Sequence, residues 1–214
     1  MTLDISPVSA VSDVLALWGD DGWLTPPLLP VVGAPAPMAG RVVTVEIHIG
    51  DAGGGLSPLY DVLSADLAGC VVVIAGGAQA PGAVWGEILT LAAQQRGASA
   101  VLVDGYVRDV PELTSIGLPI YALGARVAGP GGRAHVTEVG VDVTIGGVAV
   151  SPDDRVIADG TGCVRVRADR FSDVIAAAAR YVEGERDVVE ALASGESLDS
   201  AYRFKKSVVD ELRR

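Results

Sequence analysis

Lysine, histidine and cysteine are scarce in this chain, and each shortage removes a class of chemistry. Lys205 and Lys206 are the only lysines in 214 residues. Both lie near the C-terminal end, so a Schiff-base mechanism finds no lysine in the body of the sequence. Only His48 and His135 are available, in neither HxH nor HxxxH spacing, too few for a histidine-rich zinc or copper site. Cys70 and Cys163 stand far apart, which suits two reduced core thiols better than a disulfide framework, a zinc knuckle or a redox pair. No apolar run approaches the roughly 20 residues that span a bilayer, so no membrane segment is expected. The opening MTLDISPVSAVSD carries Asp4 and no basic cluster before an apolar stretch, so it does not read as a secretory signal, and a cytoplasmic protein is expected. Positive charge is short as well. A formal net charge of −11, with no basic stripe interleaved with aromatics, argues against direct nucleic-acid binding.

What is present is apolar. Half the residues are hydrophobic and 20% are charged, which places the chain among globular proteins of one large domain, or one domain with terminal extensions. Ser9 to Trp18 reads as a helical start with N-cap oxygens on Ser9, Ser12 and Asp13. The Pro-rich stretch Pro26 to Pro37 reads as a loop or extended connection, Arg41 to His48 alternates like a half-buried strand, and Gly50 to Pro58 reads as a flexible Gly-rich loop. GDAGGG lacks the GxGxxG spacing of a dinucleotide cradle, and no glycine-rich loop followed by an acidic ribose ligand supports S-adenosylmethionine binding.

The informative unit runs from Cys70 to Asp109. Val71 to Ala75 is a continuous, largely β-branched run, read as a buried strand ended by Gly76 and Gly77. A loop to Gly82 then opens a helix over Val84 to Arg96, with Gly97 just beyond as its C′ residue. Ala100 to Asp104 is a second buried strand, so the unit is a βαβ crossover. Ligands collect outside the carboxyl ends of such strands, where the 76–82 loop and the Asp104 to Asp109 turn both fall.

Three features there have chemical meaning. Backbone N–H groups around Val84 to Glu87 suit a carboxylate or phosphate. Arg108 supplies a planar donor fork for an oxyanion or polarised carbonyl. Asp109 and Glu87 could place oxygens around Mg²⁺ or Mn²⁺, ions that need few protein ligands. From spacing alone a simpler account stands beside this one: Arg108 and Asp109 form a solvated ion pair, and Glu87 favours its helix start through the macrodipole.

WGEILTLAAQQRGASAVLVDGYVRD, from Trp85 to Asp109, resembles the central signature of the RraA-like family, which includes the HMG/CHA aldolases. The resemblance continues through Leu118-Pro-Ile-Tyr121 and from Ile145-Gly-Gly-Val-Ala-Val-Ser-Pro-Asp153 to Asp159-Gly-Thr-Gly162. It implies an α/β fold of the swivelling β/β/α type over residues 1–182, a helical C-terminal tail over 183–214, and a homotrimer or homohexamer with sites at subunit interfaces. It also implies a class II aldolase and decarboxylase acting on a small 2-oxo acid, cleaving 4-hydroxy-4-methyl-2-oxoglutarate or decarboxylating oxaloacetate with Mg²⁺ or Mn²⁺.

Carried over by the resemblance, Asp109 holds the metal and Arg108 binds and polarises the keto oxygen. Gly82, Trp85 and Gly86 hold the pyruvate carboxylate through backbone amides. Glu87 occupies a position where active members usually carry Asp, giving E-x20-R-D. Glu185 matches an acidic residue lent by a neighbouring subunit, with Asp20 and Asp21 as weaker matches; Glu183, Arg186 and Asp187 around it equally fit a solvated helix face. Arg126, Arg133 and His135, on or near the AGPGGRAH loop, are expected not to touch substrate. The family's other activity is non-catalytic: RraA regulators bind a ribonuclease and inhibit it, and an acidic surface suits a basic partner.

Overall fold

The computed structural model describes residues 5–34, 36–51 and 53–213. Helix α1 (Val8–Leu17) is followed by strand β1 (Leu29–Val32), the long β2 (Met38–Ile49), helix α2 (Pro58–Val62) and β3 (Cys70–Ala75). Next come α3 (Glu87–Gln95), β4 (Ala100–Val107), α4 (Val110–Ile116) and β5 (Ile120–Ala125). Strands β6 (Ala134–Val139), β7 (Val143–Ile145), β8 (Val148–Val150), β9 (Arg155–Asp159) and β10 (Gly162–Val166) precede the helices α5 (Phe171–Ala193), α6 (Leu198–Ala201) and α7 (Arg203–Leu212).

Strands β2, β3, β4 and β5 are parallel neighbours. All six residues of β3 are buried, as an apolar run without alternation requires: Val72 and Ile74 pack on one face, Val71 and Val73 on the other. The far edge of β2 is shared, with β9 on Met38–Arg41 and β6 on Val45–Ile49. β1 closes the other edge, antiparallel to β5. The sheet then curls until it is nearly closed. The Tyr121 hydroxyl on β5 donates to the Asp159 carbonyl on β9 at 3.0 Å, although β4, β3 and β2 lie between those strands in the sheet order. Burial there pushes the Tyr121 phenol up to about 12.

The curl makes an inner core from β2–β5 with Val143, Ile145 and Val150 of the β7–β8 hairpin. The outer face of the parallel strands packs under Leu59 and Val62 of α2 and Ala93 of α3. A third cluster joins α1 and α5 to β9 and β10, where Tyr181 of α5 donates to Asp13 of α1 at 2.7 Å. α5 runs unbroken through residues 182 and 183. Cys70 and Cys163 are free and buried, and among the described residues no helix is long and apolar enough to cross a membrane.

Several expected boundaries move, each for a traceable reason. α1 has no cap from Ser9, Ser12 or Asp13: Pro7 precedes it, and the carboxylate of Asp159, 151 residues away, accepts from Val8 N at 2.9 Å. Asp13 instead serves the Tyr181 contact. β2 exceeds its alternating stretch because two partners share its free edge, and β4 continues to Val107, beyond Asp104, because β5 pairs with it as far as Ala125. Within the stretch expected to be a flexible loop, Gly50 and Gly55 are held by His135, whose Nδ1 accepts from Gly55 N at 2.9 Å and whose Nε2 lies 3.1 Å from the Gly50 carbonyl.

Asp104, at the point where β4 passes the Gly76 turn, generates a test. Burial holds its carboxyl above the ordinary 3.8, with a backbone hydrogen bond from Gly76 offsetting part of the effect. The folded state therefore keeps a proton that the unfolded chain has released, and stability falls as pH rises from 3.8 through the raised folded value. Asp104→Asn keeps an acceptor for Gly76 and removes the charge. Its denaturant midpoint is expected to exceed that of the wild type at pH 7, with the gap closing as pH approaches 3.8; a pH-independent gap would refute this origin.

Candidate active site

Beyond β3 the chain must reverse tightly. Gly76 does so at φ +79°, where a Cβ would stand 2.1 Å from the Ile47 carbonyl oxygen, so glycine is required on both counts. Arg126 pins the following loop: its guanidinium donates to the Ala80 carbonyl at 2.9 Å and stacks 3.6 Å from the centroid of the Tyr106 ring. Residues 83–85 then run beside the end of β4. Ala83 N donates to Ala128 O at 2.8 Å, Val84 N to Tyr106 O at 2.9 Å, and Arg108 N to Trp85 O at 3.0 Å.

Those bonds delay α3 to Glu87, with Gly86 as its N-cap. The expected row of open amides from Val84 to Glu87 is thereby corrected. The Val84 amide is spent on the sheet and the Glu87 amide donates to Asp109; Ile88 and Leu89 now supply the free N–H groups that a first helical turn leaves over. Trp85 is buried, its indole N–H donating to Thr90 Oγ1 at 2.7 Å. Gly82 packs against residues 128 and 129, where a Cβ would meet the Gly129 carbonyl at 2.1 Å, and it does not line the cleft.

Asp109 holds the two halves of the site together. Its backbone is left-handed, φ 60° and ψ 39°, a conformation uncommon outside glycine and costing on the order of 1–3 kcal/mol. That bend returns the carboxylate over the α3 N-terminus. Oδ2 accepts from Glu87 N at 3.2 Å and lies 3.6 Å from Arg108 Nε, while Oδ1 has no protein partner among the described residues. Gly86 makes room: a Cβ there would lie 2.7 Å from Asp109 Oδ2 and 3.1 Å from Arg108 Cγ. Gly129 flanks the Arg108 fork in the same way, with 3.2 Å from a Cβ to Nη1.

Glu87, Arg108 and Asp109 share a cleft of about 460 Å³ with Trp85, Gly86, Ile88 and Leu89. The 49% and 39% exposed side chains of Arg108 and Asp109 make their ion pair a weak source of stability, but they leave both groups available to a ligand. No cluster of three metal-ligating side chains occurs among the described residues. Two solvent-facing carboxylates, one with a vacant oxygen, fit a hard ion that retains most of its water.

The opposite wall, Leu56, Tyr60, Leu63 and Ser64, was not foreseen. Only Tyr60 belongs to α2, with Leu56, Leu63 and Ser64 flanking that helix, and nothing local in their sequence signals that they meet the start of α3.

Glu185, Asp20 and Arg133 are engaged elsewhere. Glu185 lies on α5, paired with Lys205 of α7 at 2.7 Å, and does not line the cleft of its own chain. Asp20 pairs with Arg165 at 3.4 Å, and Arg133 with Asp51 at 3.0 Å.

A family model described as RraA-like (Aldolase/RraA) matches residues 8–165. A Shewanella oneidensis protein named "Putative 4-hydroxy-4-methyl-2-oxoglutarate aldolase" is 31% identical over 123 residues, 58% of this chain and 71% of its own. An uncharacterized protein from Pseudomonas syringae pv. tomato is 27% identical with a TM-score of 0.83, over 92% of this chain and 89% of its own. The "RNA-processing inhibitor RraA" from Thermus thermophilis is also 27% identical, with a TM-score of 0.59 over 75% and 92%.

Gly86→Ala tests the construction of the site. The added methyl must displace the Asp109 carboxylate from the Glu87 amide. An unfolding free energy lower by about 1–3 kcal/mol is expected, with a changed Glu87 amide resonance in NMR; an unmoved resonance would show that the contact does not hold the site.

Proposed function

The chain belongs to the RraA-like (Aldolase/RraA) family, and from that premise we propose that it is a carbon–carbon lyase: a divalent-metal-dependent class II aldolase and decarboxylase of pyruvate-type 2-oxo acids. The observation that carries this reading is the convergence of the α3 N-terminus, Arg108 and Asp109 in one cleft, locked by the Asp109–Glu87 contact. The Ile88 and Leu89 amides, at the positive end of the helix, bind the substrate carboxylate. Arg108 receives the keto oxygen and stabilises the negative charge that collects there as the bond beyond C3 breaks. Glu87 takes the proton from the leaving hydroxyl and fills the general-base role that this reaction needs.

Asp109, through its unpartnered Oδ1, with Glu87 beside it, would hold Mg²⁺ or Mn²⁺. The bound ion supplies a Lewis acid that polarises the keto group. In the assembled oligomer, a trimer or pair of trimers in this reading, Glu185 is the residue lent to a neighbouring cleft, which requires release of Lys205. Oxaloacetate and 4-hydroxy-4-methyl-2-oxoglutarate are the substrates to try first.

A second reading, a protein-binding regulator without catalysis, draws support from the likeness to the Thermus inhibitor and from the net charge of −11, which would steer a basic partner.

One assay separates the two: pyruvate release from both substrates, with Mg²⁺ or Mn²⁺ and with chelator. Turnover abolished by chelator is expected, with kcat/KM reduced roughly 10²–10³-fold in Arg108→Ala and lost in Asp109→Ala. Release no faster than the metal-only background, from a folded oligomer, would leave the regulator as the account.

A further inference from the structure

Half of the cleft has no part in the chemistry above. Beyond Glu87 it follows α3 to Ala92, about 7.5 Å at 1.5 Å per residue, between walls of Leu56, Tyr60, Leu63, Leu89 and Ala92. Arg108 is the single cationic side chain among the lining residues of this chain, and it is already paired with Asp109. The Ser64 hydroxyl is committed, donating to the Tyr60 carbonyl at 2.7 Å, and Tyr60 brings an aromatic ring and no cation. A ligand whose carboxylate and keto group sit at the polar end therefore finds no cation of its own chain for a second carboxylate at the other, and the one residue lent by a neighbour in the reading above, Glu185, is itself acidic. Desolvating an unpaired carboxylate against leucine is costly. An apolar group placed there would instead cover Tyr60, 58% exposed, and Ile88, 80% exposed, and gain by removing them from water.

We infer that the site prefers monocarboxylic 2-oxo acids carrying a ring-sized apolar group at C4 over dicarboxylic ones, an inference that rests on the lyase reading for its polar end. In the corresponding cleavage of 4-hydroxy-2-oxo-4-phenylbutanoate, the C3–C4 bond breaks and the C4 hydroxyl proton passes to the carboxylate base. C4 becomes the carbonyl carbon of benzaldehyde. The bonding electrons form the enolate of pyruvate, which takes a proton at C3.

Binding tests this without requiring turnover. Calorimetry with the 214-residue chain in Mg²⁺ buffer would compare pyruvate, 2-oxoglutarate and 2-oxo-4-phenylbutanoate. The phenyl acid is expected to bind roughly tenfold or more tighter than either of the others. Tyr60→Arg, a change at an exposed position whose folding a melting curve checks, is expected to raise affinity for 2-oxoglutarate and narrow the gap. Wild-type protein that binds 2-oxoglutarate as tightly as the phenyl acid overturns the inference. So does a phenyl acid that binds no better than pyruvate, because the apolar wall would then be closed to ligand. In both cases pyruvate binding leaves the lyase reading standing; failure of all three acids to bind removes that reading and the inference with it.

Discussion

Parallel strands rich in Val and Ile must be covered on both faces, and the rest of this molecule follows from how that is done. β3 is buried along its whole length, so neither side of the sheet can face water. Helices α2 and α3 cover one side. The other is covered by the sheet itself, which curls until Tyr121 reaches Asp159, with the β7–β8 hairpin completing the inner core. Hydrophobic burial of this kind is non-directional; the hydrogen bonds of β1, β6 and β9 convert it into one particular closure.

The cleft is a by-product of that closure. The parallel strands end together, their connections emerge on one side, and the 83–85 segment is drawn onto the end of β4 by backbone bonds. Helix α3 consequently starts three residues later than its apolar pattern implies. Its N-terminus faces the Arg108–Asp109 turn at hydrogen-bonding distance. Glycines at 76, 82 and 86 sit where backbone or side-chain atoms approach too closely for a Cβ. Close packing, more than flexibility, accounts for the glycines around the site.

Charge is distributed in keeping with this. Most ion pairs lie on the surface and away from the cleft, where they contribute little to stability. Lys205 is the exception among the lysines: it sits 4.8 Å from the Tyr181 ring and is paired with Glu185, joining α7 to α5. The scarcity of lysine noticed at the outset therefore has a structural counterpart, with one of the two holding the C-terminal helices together and neither near the cleft.

The βαβ unit, the buried strands, the reduced cysteines and the grouping of Glu87, Arg108 and Asp109 were legible in the sequence. Each depends on short-range pattern: continuous β-branched runs, glycine after a helix, and the strand-end positions of the crossover. Only the tertiary structure decided which amides remain open, because Val84 is satisfied by Tyr106, a residue from another strand. It also decided that Asp159 would cap α1 from 151 residues away, and that Tyr60 of α2, with Leu56 and Leu63 on either side of that helix, would supply the apolar wall of the cleft. These contacts join segments distant in sequence, and their partners are set by how the whole sheet curls, which no local periodicity encodes.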